Sequence, residues 1–292
     1  MTRPREIRLK SVKRQKTIGN IIFISVAILL SFVFLFPLYW MIVSSFKPLA
    51  QIFAMPFDWL PREWTLDNFT RGWEFIGGVT FTQLYINTFY VATVGVIFTL
   101  LTASMSAFAF ARLNFKYRTM WFIIMLSTMM LPGQVTMIPT FMLLSNFGLV
   151  NTRTVLWIGS LWGGGAFNIF MIRQFMLGIP KELDEAAKID GANIVMIYWR
   201  IILPLCKSVL LTITIFTFMG RYSDLMTPLI YVRDLRLQTI PPAINMFLDT
   251  GGMGARDVAI AMSTLSIMPL ILIFFVVQKQ FMQGIQTVGV KG

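Results

Sequence analysis

Four stretches of this chain run without a single charged side chain: residues 17–46, 75–111, 119–152 and 258–278. Each is long enough to cross a bilayer, since about 20 apolar residues in a helix span the hydrocarbon core. Two further apolar segments, 154–177 and 202–230, carry only a few charges each. The pattern predicts an all-α, polytopic membrane protein with six helices at about 18–44, 84–111, 119–146, 154–177, 202–230 and 258–279. Residues 1–17 read as a basic tail and 18–292 as one transmembrane domain.

Three places break the apolar pattern. The third span holds Pro132, Gly133 and Pro139. A proline deletes a backbone donor and bends the helix, which a bilayer tolerates only where neighbours or water satisfy the freed carbonyls. A broken, cavity-lining helix and an ordinary packed kink both fit. The fifth span opens near Leu203-Pro204, a proline position suited to a first turn. It then carries Arg221, Tyr222, Ser223 and Asp224 where the helix should be crossing. Ionisable groups at depth are costly and face a partner or a watery path. Their i,i+3 spacing lets Arg221 and Asp224 neutralise each other. A hydrophilic cavity for a polar solute and a place at the outer surface are the other two readings.

The third break is "KELDEAAKIDGAN", residues 181–193, between two greasy stretches. Pro180 suits a first turn, and Glu182, Asp184 and Glu185 favour the positive end of a short helix dipole. Gly191 can take the left-handed conformation that closes a helix, and Asn193 is an N-cap for a second short helix, "NIVMIYWRI". The i,i+4 spacing pairs Lys181 with Glu185 and Asp184 with Lys188. Leu183, Ala186, Ala187 and Asp190 fall on one face, a shallow stripe of mostly small side chains that permits close backbone approach. That face fits a groove of another protein, and equally a capped helix resting on lipid heads and its own bundle.

Composition supports the membrane reading. The 292 residues are 56% hydrophobic and 13% charged, with a mean hydropathy of +0.71. Soluble domains carry roughly twice that charge fraction. A net charge of +12 can signal nucleic acid, but seven of the 25 basic residues crowd into positions 3–16, beside the first apolar run. Placing the amino terminus inside puts 17 basic residues on the inner side and seven outside, which favours cytoplasmic termini and argues against a nucleic-acid partner. The first run exceeds the 7–15 residues of a signal peptide core, and no small-x-small cleavage site follows it, so it reads as a retained anchor. Trp59, Trp64 and Trp73, in the long segment 45–83, suit an interfacial aromatic belt. The single cysteine, Cys206, excludes an internal disulfide. The absence of histidine excludes His-dependent metal sites, and no metal-ligand cluster is visible.

The spacing around the polar loop carries a resemblance. Glu185-Ala186-Ala187, then Gly191, then Ile201-x-Leu203-Pro204 is similar to the EAA loop of ABC importer permeases in residue and spacing. "FPLYWMIVSSFKP", "SAFAFARLNFKYR", "LPGQVTMIPTFMLLSNFGLVNT" and the ending from Gln278 to Gly292 resemble the carbohydrate-uptake branch, in particular the six-helix maltose-type G subunits. The resemblance implies a type I importer permease fold, with a coupling loop at about 179–204. It also implies a second, F-type permease, two copies of a P-loop ATPase subunit and an extracytoplasmic solute-binding protein in a bacterial inner membrane. Glu185, Ala186, Ala187, Asp190, Gly191, Leu203 and Pro204 would form the ATPase-coupling segment, with Glu185 making a charged contact. The tail residues Val288, Gly289, Val290, Lys291 and Gly292 would also reach the ATPase, and "DTGGMGARD", 249–257, would meet the binding protein. ATP and Mg would be bound by the partner, since this chain has no G-x-x-x-x-G-K-[ST] and is expected to hold no cofactor of its own.

The chain departs from the relatives' W-N-x-F-L-x-P-L pattern in the fifth helix, where Tyr222-Ser223-Asp224-Leu225-Met226-Thr227-Pro228-Leu229 stands with Arg221 just before it. Arginine suits a carboxylate or phosphate, so an acidic saccharide or sugar phosphate stands beside a neutral sugar as cargo. Two other classes fit the sequence less well. A membrane-embedded enzyme would need positioned acid–base or nucleophilic groups, and no histidine, G-x-S-x-G or paired intramembrane acids are present. A self-contained secondary transporter would not need the EAA spacing, and no inverted repeat is visible.

Overall fold

The computed structural model describes residues 3–74, 76–250 and 255–289. Its described elements are helical apart from one isolated antiparallel bridge between Glu74 and Thr80. Among the described residues four helical stretches are long and apolar enough to cross a membrane: Thr17–Ser44, Phe81–Arg112, Thr154–Leu177 and Arg256–Val276. The first lies in α1 (Arg3–Ser44), the second is α4 (Phe81–Arg112), the third ends in α7 (Ala166–Leu177) and the last lies in α14 (Arg256–Gly289). Two more pairs are bent. Arg118–Met130, which begins with α5 (Arg118–Ser127), meets α6 (Gly133–Asn146) at 104°, and Ile194–Leu205 meets α11 (Lys207–Tyr222) at 77°. With each bent pair counted as one span there are six, as the hydropathy pattern predicts.

The break in the third span falls at Leu131-Pro132, where Pro132 is extended (ψ 133°) and precedes α6; Pro139 lies inside α6 without ending it. The fifth span starts earlier than Leu203. After the short α9 (Ile194–Met196) the chain runs through a π-helical segment, Ile197–Ile202, and α10 (Leu203–Leu205) before turning at Cys206 into α11. It also stops earlier than predicted, at Ser223, with α12 (Met226–Tyr231) as a separate piece. The glycine-rich stretch of the predicted outer segment at 249–257 falls on residues 251–254, which lie outside the described residues, as do the tail residues Val290, Lys291 and Gly292. Val288 and Gly289 end α14.

The chain forms two compact units. One comprises residues 3–72 and 255–264. Here α1 leads into a turn followed by α2 (Leu49–Ile52) and α3 (Asp67–Trp73). Asn68 is buried and donates to the carbonyls of Ser45 (3.0 Å) and Lys47 (2.9 Å), which closes the turn after α1. Lys47 is buried as well. Its Nζ donates to the Asp58 carbonyl (2.6 Å) and lies 5.0 Å from the Phe57 ring centroid. Burial lowers the Lys47 pKa from its ordinary value, with the Asp58 charge opposing. Trp59 packs on Phe36 and Phe57, and Trp64 on Phe46, while both stay exposed on their other sides. Arg71 bridges Asp67 (2.7 Å) and Asp257.

The second unit takes in residues 73–250 and 265–289 of those described. Its centre is α4, against which α7, α11 and α13 (Ile240–Thr250) pack. Small residues at Ala103, Ala107 and Ala111 let α7 and α11 approach α4 closely, the usual device where apolar helices gain nothing from leaving lipid. Asn87 Nδ2 donates to the Arg236 and Gln238 carbonyls (2.8 Å each) and anchors that loop on the first turns of α4.

Candidate functional site

Two polar places stand out in the second unit. The first is the segment that contains α8 (Glu182–Ile189). Three acids occupy its first turn and Lys188 its last, matching the dipole. Gly191 closes it at φ +81°, a backbone state that L side chains rarely adopt. Asn193 Oδ1 accepts from the Met196 N–H at 2.8 Å and caps α9 as its sequence position predicts. The helix is short and would not persist alone. It is held by the core below it, where Ala187 packs with Ala107, Phe108, Ala111, Met176, Ile197 and Tyr198 in one buried cluster.

The predicted small-residue stripe divides. Ala187 and Asp184 face the chain's own bundle, whereas Leu183, Ala186 and Asp190 are exposed. The open face carries Glu182, Glu185, Ala186 and Ile189, the last 86% exposed. The predicted i,i+4 ion pairs are also replaced. Asp184 pairs with Arg112 in the last turn of α4 (Nε to Oδ2, 3.3 Å), and no Lys181–Glu185 pair exists among the described residues. A buried guanidinium across the interface outcompetes an exposed neighbour on the same helix. Leu203 packs against the core cluster and Pro204 is exposed.

The second place is a cavity of about 310 Å³, lined by Thr99 of α4, Gly164 and Asn168 of the fourth span, and Phe216, Thr217, Gly220, Arg221 and Asp224. Its wall depends on three consecutive glycines. Gly163, Gly164 and Gly165 all have positive φ (+78°, +61° and +122°), and a Cβ on Gly164 would lie 2.5 Å from Thr99 Oγ1. No other residue type fits there. This kink interrupts the fourth span, and its freed groups are met by side chains. The Gly163 N–H donates to Thr102 Oγ1 (3.0 Å), and Asn168 Nδ2 donates to the Gly163 carbonyl (3.1 Å).

Arg221 and Asp224 both reach this cavity, where the Asp224 charge acts on the guanidinium without a direct ion pair or hydrogen bond between the two side chains. Arg221 donates to the Leu156 carbonyl (3.1 Å) and to Ser160 Oγ (3.1 Å), while Asp224 Oδ1 accepts from the Thr227 N–H (3.0 Å). Asp224 acts as a cap for α12 where α11 has ended, which separates its carboxylate from the guanidinium. Tyr222 turns away. It is buried, stacks on Phe218, meets Phe89 edge-on, and donates its hydroxyl to the Ser266 carbonyl (2.9 Å). Ser223 is exposed and does not line the cavity. Thr99, Ser160, Gly164, Asn168 and Arg112 were not picked out by sequence reasoning. The run "WGGGAFN" inside an apolar span was the available signal for two of them, Gly164 and Asn168. Among the described residues no cluster of His, Cys, Asp or Glu could hold a metal ion.

A helical bundle with a capped, outward-facing loop helix and a polar cavity at the broken spans is the architecture of a membrane permease. The chain belongs to the family of binding-protein-dependent transport system inner membrane components, whose pattern residues 95–287 match. It is 32% identical over 267 residues to the arabinooligosaccharides transport system permease protein AraQ of Halalkalibacterium halodurans, covering 90% of this chain and 93% of that one. The probable ABC transporter permease protein YurM of Bacillus subtilis is 31% identical over 88% of this chain and 84% of its own length. The sn-glycerol-3-phosphate transport system permease protein UgpE of Brucella abortus is 29% identical, over 93% of this chain and 97% of its own. In fold, the chain is similar to one in the crystal structure of a bacterial ABC transporter involved in the import of the acidic polysaccharide alginate. That match has a TM-score of 0.78 at 24% identity and covers 91% of this chain and 97% of the other. The fold is therefore that of a type I ABC importer permease.

Proposed function

We propose that this chain is the permease subunit through which an ATP-driven importer moves a sugar or oligosaccharide across a bacterial inner membrane, with both termini cytoplasmic. The observation that carries the reading is α8, a capped helix clamped to the bundle by one face while Glu185 and Ala186 stand open on the other. A helix so held is fitted to transmit force from a second protein. Relatives named for arabinooligosaccharide transport and diacetylchitobiose uptake support the cargo class.

In this reading residues 181–193 seat in a cleft of a cytoplasmic ATPase. Two ATPase copies bind and hydrolyse ATP with Mg, and a second permease completes the path. An extracytoplasmic binding protein delivers the solute, and closure of the ATPase pair rocks the two permeases between inward- and outward-facing forms. Asp190, Gly191, Leu203 and Pro204 shape the loop, and the tail from Val288 to Gly292 is a further contact with the ATPase.

Purification in mild detergent tests the assembly. A P-loop ATPase and a second permease are expected to accompany the chain, and a lone active monomer would overturn the proposal. A second reading, an acidic saccharide or sugar phosphate as cargo, is favoured by Arg221, whose guanidinium bonds only neutral acceptors at the cavity wall. Thermal stabilisation of the partner binding protein across neutral and anionic sugars separates the two.

A further inference from the structure

We propose that the buried ion pair between Arg112 and Asp184 is the mechanical link that carries movement of α8 into α4 and thence to the Arg221 cavity. The inference rests on the reading of α8 as the ATPase-docking helix. Arg112 lies in the last turn of α4 and Asp184 in the first turn of α8, with Nε and Oδ2 3.3 Å apart and the two side chains only 3% and 12% exposed. The same guanidinium donates from Nη2 to the Ile179 carbonyl at 2.8 Å, so it also holds the strand of chain that enters α8. Among the described residues it is the only ion pair joining α8 to another element.

The pair is poorly explained as a source of stability. Arg112 Nε and Nη1 and Asp184 Oδ1 are buried without hydrogen-bond partners, so the two side chains meet as charges and not through a hydrogen bond. Buried ion pairs commonly do no better than apolar residues of the same size, while fixing register is their best-attested use. What the charges add here is an attraction fixed at one point of contact, beside the short side chain of Ala187.

The geometry beyond the tether favours α4 as the route. From Phe81 to Arg112 it is one uninterrupted helix without proline. At 1.5 Å per residue, Thr99 lies about 20 Å along α4 from Arg112. There Thr99 lines the cavity and lies against Gly164, so closely that no Cβ fits between them. The other route from the loop, through the π-helical segment and α10, meets a 77° bend before α11. A straight rod delivers a displacement to the cavity wall; a bent one absorbs part of it.

The test uses the full complex reconstituted in vesicles, reading solute transported per ATP hydrolysed together with the amount of assembled complex. Arg112→Gln and Asp184→Asn are each expected to lower the transport-per-ATP ratio roughly tenfold, with the double variant no worse than either alone. The double charge reversal Arg112→Glu with Asp184→Arg is expected to recover most of it. A residue that only holds the fold together would change the amount of complex and leave the ratio alone. Normal ratios in the single variants would overturn the link, as would a reversal no better than the singles, or one that restores assembly without restoring the ratio. Glu185→Ala separates the two proposals. If it uncouples while the Arg112 and Asp184 variants do not, only the link fails; if it transports normally, the docking reading fails first.

Discussion

The loop around α8 and the cavity around Arg221 handle buried charge in opposite ways. In the loop most charges face outward, and the one that turns inward, Asp184, meets an opposite charge from another helix. In the cavity Arg221 hydrogen-bonds only a carbonyl and a hydroxyl, and Asp224, which caps a neighbouring helix, acts on it by charge alone. A paired charge resists displacement and suits a joint. A guanidinium bound to neutral acceptors keeps its charge available to a passing solute and suits a path. Glycine use differs in the same sense. Gly191 has open space around it and needs only its φ, whereas Gly164 needs both its φ and its missing side chain.

The sharpest way to break this contrast is Gly164→Ala. Its φ of +61° costs a non-glycine residue about 1–3 kcal/mol, and the clash with Thr99 adds about 1–3 kcal/mol more. Loss of assembled protein and of uptake is expected, read by thermal unfolding of the purified complex. Gly191→Ala, with no clash, should carry only the backbone part, and equal losses at the two positions would erase the distinction. Arg221→Met is expected next. It leaves the Leu156 carbonyl and Ser160 Oγ without that donor, at about 1–3 kcal/mol, and abolishes uptake in a complex that still assembles. Unchanged uptake would remove Arg221 from the path. Asn193→Ala should cost about 1 kcal/mol through the lost cap of α9, visible as faster amide exchange confined to residues 193–197. Smallest in stability is Glu185→Ala, within about 0.5 kcal/mol for an exposed side chain, yet it should uncouple ATP hydrolysis from transport. A large drop in melting temperature instead would show that Glu185 serves the fold.

The two regions also differ in how well they can be read without coordinates. The loop's caps, Gly191 and Asn193, depend on neighbours within a few residues, and the structure places both as their sequence context predicts. The six spans were equally plain, because long charge-free runs have one stable solution in a bilayer. What could not be read was which side of α8 packs inward. That choice is made by Arg112, far back along the chain, together with Met176 and Tyr198 on the helices that flank the loop, and it turned Ala187 into a core residue. The cavity was still less legible, since Thr99, Ser160, Asn168 and Arg221 come from three different spans and meet only after helix packing. Local spacing allowed an Arg221–Asp224 pair as well as a polar cavity; α11 ends at Ser223, and the two residues share the cavity without a direct ion pair.

The π-helical segment Ile197–Ile202 has a consequence for chain length. A π-turn stores one residue more than an α-turn. Removing a single residue there would let the segment wind as α-helix with little net rotation of its flanks, since the extra residue is what the wider turn takes up. The segment is thus a reserve of chain length between the loop and α11, able to absorb a one-residue deletion that a plain α-helix would answer with a turn of about 100°.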